Sequence, residues 1–112
     1  MKGKRVSIFL SESDEWQRRP LCLELLRTLA RENVEYASVI RTMAGLTKVE
    51  DMKTKVALMG VSPYPPLVIE FADSVENIER VMTTIAEMTA GKLFSTVAVE
   101  ITPRAAPARP SF

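Results

Sequence analysis

Val6, Ile8 and Leu10 alternate with Ser7, Phe9 and Ser11, the period-two pattern of a strand with one face on a core. After Pro20, whose fixed φ suits a first helical turn, the period changes. Leu21, Cys22, Leu25, Leu26 and Leu29 fall in one arc at about 100° per residue, and Glu24, Arg27, Thr28 and Arg31 fill the opposite one. This predicts an amphipathic helix with Asn33 as a left-handed stop. Tyr36–Thr42 is rich in β-branched residues and predicts a second strand. Leu67–Ala72 predicts a third, with Pro66 at its first position, where a missing N–H does least harm. Asp73 and Glu76 have capping-box spacing, and Val75, Ile78, Val81, Met82, Ile85, Ala86 and Met88 share one face of a second helix that Gly91 stops. Phe94–Ile101 alternates again, with Val97, Val99 and Ile101 on one side of a fourth strand.

The order βαββαβ predicts an α+β, ferredoxin-like fold: a four-stranded antiparallel sheet with two helices on one face and a long loop between strands 2 and 3. Residues 1–102 form the expected domain, the loop runs from about 43 to 63, and residues 103–112, with three prolines, three alanines and two arginines, form a flexible tail. If Val6, Ile8, Leu10, Leu67, Ile69, Phe71, Val97 and Val99 face the helices, the open face carries Ser7, Phe9, Ser11, Val68, Glu70, Ala72, Thr96 and Ala98. The pattern leaves the phase of the second strand undecided. A mixed surface of small, hydroxyl and apolar groups suits a contact between copies.

Composition narrows the function. At 112 residues and 46% apolar, the chain can close one real core. Fifteen basic residues against fourteen acidic ones leave no overall field to draw it to nucleic acid or an anionic membrane. The third strand, Leu67 to Phe71, has no basic residue or glycine and carries Glu70, so the base-stacking surface of an RNA-recognition domain is missing. One cysteine, Cys22, excludes an internal disulfide and fits a reducing cytoplasm. No apolar run is long enough for a membrane span or a signal peptide, so a soluble, unprocessed chain is expected. Histidine is absent, which removes the commonest proton shuttle and metal ligand. Glu12, Asp14 and Glu15 are the densest carboxylates, and they read as a solvated loop before a helix more readily than as a cation or proton site. Trp16 reads as packing over the helix end and Cys22 as a small buried hydrophobe. No catalytic or metal-binding set stands out.

The runs VSIFLSESDEWQRRPLCLELL, ASVIRTMAGL, PPLVIEFADS and AGKLFSTVAVEI, in this order, resemble the PII-like signalling proteins, most closely a small branch of that superfamily, over roughly residues 5 to 102. The resemblance implies a cytoplasmic homotrimer without catalysis of its own, its sheets facing a threefold axis. It also implies an effector such as an adenine nucleotide in clefts between subunits. The long loop, the T-loop of that family, then contacts a protein target such as a membrane transporter or an enzyme, with no nucleic acid and no membrane insertion. By position the resemblance assigns ligand contacts to Arg41, Thr42, Gly45 and Lys48 at the start of the loop, and to Gly91 and Lys92 before the last strand. The chain departs from the family's phosphate cradle after Lys92, where Leu93, Phe94 and Ser95 replace a further glycine, aspartate and lysine. Two other readings remain: a small ferredoxin-like enzyme or stress protein using Glu12, Asp14 or Arg41, and an oligomerisation module that binds nothing small.

Overall fold

The computed structural model describes residues 1–42 and 66–102. The expected long loop, including Gly45 and Lys48, and the expected tail lie outside the described residues. In chain order the elements are β1 (Lys2–Ser11), β2 (Glu15–Trp16), β3 (Arg19–Pro20), α1 (Leu21–Arg31), β4 (Tyr36–Arg41), β5 (Pro66–Ser74), α2 (Val75–Ile85) and β6 (Leu93–Glu100). The four long strands form one antiparallel sheet in the order β4-β5-β1-β6. β5 thus sits between the strands that α1 connects, the ferredoxin-like arrangement that the element order predicts.

The alternation of β1 and β5 fixes which face is covered. Val6, Ile8 and Leu10 pair with Phe71, Ile69 and Leu67, and all six are shut off from solvent. They meet Leu21, Leu25 and Leu29 of α1 and Ile78, Val81 and Ile85 of α2, which form the other half of the core. Trp16, Cys22 and Val39 pack partly against it. Thr28, on the polar arc by periodicity, is buried because its hydroxyl donates to the carbonyl of Glu24 and so needs no water. Gly3 is required by closeness: a Cβ there would lie 2.5 Å from the carbonyl oxygen of Asp73 and from Cδ1 of Ile101.

Three expectations change. Val97 and Val99 do not face the helices, because they pair with Arg5 and Gly3, whereas Thr96 and Ala98 pair with the helix-side Val6 and Lys4. β6 is an edge strand beyond the helices' main contacts on β1, β4 and β5, so its apolar alternation serves the open face. Residues Glu15–Trp16 and Arg19–Pro20 form a small hairpin, turned by Gln17 and Arg18 at φ of 51° and 66°. The N-cap of α2 is Ser74, whose hydroxyl accepts the Asn77 N–H at 3.2 Å.

Asp73 does a different job. Its carboxylate accepts the N–H of Ser74 at 2.6 Å, the side-chain amide of Asn77 at 2.5 Å and the N–H of Glu35 at 2.9 Å, tying α2 to the segment that enters β4. Burial alone would push its pKa up, but these donors outweigh burial and hold it below the ordinary aspartate value. A folded-state pKa below the unfolded one gives stability that is present above about pH 3.9 and lost as pH falls through the folded value. Asp73→Asn is therefore expected to lose about 1–3 kcal/mol at pH 7, measured by urea unfolding. The gap to the wild type should narrow below about pH 4; a gap constant with pH would contradict this account.

Candidate functional site

At one end of the sheet, β1 and β4 finish while β5 and β6 begin. Arg41 closes β4 on one edge, and Lys92 precedes β6 on the other. Three strand spacings, about 14 Å, separate the backbones of these edges, and the two cations hold different partners. Each meets a carboxylate of the connection after β1. Arg41 is ion-paired with Glu12, and Lys92 Nζ lies 2.8 Å from Asp14 Oδ2. The sequence signal for these carboxylates was their density; their assignment to a solvated loop misses that each neutralises a candidate ligand-binding cation.

The remaining assigned residues have local roles. The N–H and hydroxyl of Thr42 both donate to the Pro66 carbonyl, at 3.2 and 2.6 Å, and so clasp the two ends of the long connection. Gly91 has φ +78° with nothing within 4 Å of a Cβ position, so within the protomer it is the backbone conformation that calls for glycine. The Lys92 N–H donates to Thr89 O at 3.0 Å, which completes this turn six residues past the end of α2.

Beside Arg41 lies a cleft of about 280 Å³. Pro20, Cys22, Leu23, Leu26 and Leu67 supply its apolar lining, and the Glu12–Arg41 pair its charge. Burial pushes the Cys22 thiol up, so it stays protonated at neutral pH and acts as a small hydrophobe. An apolar surface next to a guanidinium can take a flat heteroaromatic group that carries an anion.

The open face of the sheet is organised in rows across the strands. Ile40, Val68, Phe9 and Leu93 are register neighbours and form an apolar row nearest the charged end. Ser38, Glu70, Ser7 and Ser95 make a polar row next to it, and Tyr36, Ala72, Arg5 and Val97 a mixed third. Ile40 is 46% and Leu93 53% exposed, too much for side chains that belong to a core of this protomer. Each end of the apolar row adjoins a candidate cation, Arg41 after Ile40 and Lys92 before Leu93.

The DUF190 family profile, described as Uncharacterized ACR, matches residues 3–101. A UPF0166 protein of Aquifex aeolicus (strain VF5) is 31% identical over 85 residues, which is 76% of this chain and 80% of the relative. Among solved structures, CPII from Thiomonas intermedia K12 bound to ADP and bicarbonate superposes with a TM-score of 0.61 at 10% identity, covering 90% of this chain and 89% of that one. The apo form of CPII, a nitrogen regulatory PII-like protein, gives 0.58 at 12% identity over 90% and 92% of the two chains. At such identity the likeness concerns the fold alone.

Proposed function

The chain belongs to the DUF190 family, with a PII-like fold, and on that premise we propose that it is a PII-like regulatory protein. In this reading it is a cytoplasmic homotrimer that binds a small anionic effector, of the adenine-nucleotide type, where copies meet. It signals to a protein target through the connection at about 43–63, with 103–112 as a flexible tail outside the domain. No described helix is long and apolar enough to cross a membrane.

The observation that carries this reading is the position of Arg41 and Lys92 at the two ends of the apolar row. Covering that row with further copies puts both cations at the rim of the contact. In a closed ring, Arg41 of one copy then meets the Gly91–Lys92 turn of the next, which a single protomer keeps on its opposite edge. The apolar cleft beside Arg41 would hold the heterocycle and the guanidinium the phosphates. CPII, which has this fold, is bound to ADP and bicarbonate in one of its structures, so ADP is the first effector to test. The Thr42–Pro66 clasp lies one residue from Arg41, which would couple occupancy to the base of the long connection.

The test is a thermal-shift titration with ADP. A ligand at a hundredfold above its dissociation constant adds about 2.7 kcal/mol of stability, which a melting curve registers. Arg41→Ala is expected to weaken ADP binding roughly tenfold or more through loss of a charge-assisted hydrogen bond, with the assembly mass unchanged. A wild-type chain indifferent to ADP and AMP would remove the nucleotide from the reading.

A further inference from the structure

The two ion pairs at the charged end are built differently. Asp14 is fixed on all sides: its carboxylate accepts the Ser11 N–H at 2.8 Å as well as Lys92, its own N–H donates to Ser11 O at 3.1 Å, and its carbonyl accepts the Leu21 N–H at 2.9 Å. Asp14 and Lys92 are each less than one-fifth exposed, so this pair is a strut between the β1 connection, the start of α1 and the turn before β6. Glu12 has no such frame. Among the described residues its carboxylate is ion-paired with Arg41 alone, and the guanidinium is two-thirds exposed. That pair stands at the cleft whose other lining is apolar.

We propose that Glu12 is an internal competitor for the anion site at Arg41. Its carboxylate holds the guanidinium in the free protein, and a ligand phosphate takes that position by displacing it. This rests on the effector reading above and adds a residue that sets affinity in it. A tethered carboxylate works at high effective concentration, so weakly held anions do not dislodge it. A polyphosphate does, and the connection after β1 is then released from the base of the long loop. Glu12 thereby links occupancy of the cleft to the placement of residues 12 and 13, while Asp14 and Lys92 stay in place as the strut.

The test is calorimetric titration of ADP and of inorganic pyrophosphate into the full chain. Glu12→Gln is expected to bind both roughly three- to tenfold more tightly than the wild type, because the competing pair and its repulsion of the ligand are gone. Asp14→Asn should lower the melting temperature without tightening the ligand. In an Arg41→Ala background, Glu12→Gln should gain clearly less than in the wild type, since no pair is left to break and only the carboxylate's repulsion of the ligand is removed, and this non-additivity separates competition from a general structural effect. If Glu12→Gln fails to fold, Glu12→Ala carries the same expectation. Wild-type binding that Glu12→Gln leaves unchanged or weakens overturns the inference and spares the effector reading. Absence of binding in the wild type and every Glu12 variant overturns both.

Discussion

Phe9→Asp is expected to turn the assembly into monomers without unfolding the chain. Phe9 lies in the middle of the apolar row, between Val68 and Leu93, on the face that carries no helix. Its chain neighbours Ile8 and Leu10 point the other way and are fully buried, so the core is untouched by the change. In the proposed trimer the substitution appears once in every copy, and each buried carboxylate without a partner costs several kcal/mol. A contact held by one apolar row per subunit cannot absorb that cost. Light scattering should give the 12.5 kDa mass of a single chain, with an unchanged far-ultraviolet spectrum. The monomer should also lose its response to ADP, because the cleft then lacks the neighbouring turn. Retention of the wild-type mass would mean that the open face is not the contact.

The largest stability loss is expected from Phe71→Ala. Phe71 is fully buried in β5, with Val6 beside it on β1 and Ala37 on β4, against the layer formed by α1 and α2. Few neighbours can move into the space it leaves, because the strands on both sides are held by the sheet ladder. Truncation of a buried phenylalanine costs about 3–5 kcal/mol, a large share of the 5–15 kcal/mol that holds a typical domain together. The urea midpoint should fall accordingly, with the slope unchanged. A loss below about 1 kcal/mol would contradict the core described above.

How much of this was legible in the sequence depended on whether the deciding interaction was local. The covered faces of β1 and β5 could be read because strict alternation leaves their apolar residues one place to go. Both helices are legible from period, although the pattern carries α2 too far: Gly91 suits a helix stop, while the helix ends at Ile85 and Gly91 closes a later turn. The face of Val97 and Val99 could not be read, since alternation gives a strand's two sides but not which one the helices reach. The hairpin after Asp14 was hidden because Gln17 and Arg18 occupy left-handed positions that normally announce themselves as glycine or asparagine.

The site was less legible than the fold. Nothing in the residues around Arg41 and Lys92 singles them out, and their candidacy came from resemblance. Their pairing with Glu12 and Asp14 required the strand order, because Arg41 and Glu12 stand 29 positions apart in sequence and meet only through the sheet end. The rows of the open face likewise needed the register of three strand pairs.

Calorimetric titration of ADP into the purified wild-type chain, with its mass read by light scattering in the same buffer, tests the central claim most directly. The account predicts a particle of three times 12.5 kDa that takes up one ADP per chain with saturable heat. A single-chain particle, or a trimer that binds neither ADP nor pyrophosphate, would contradict it.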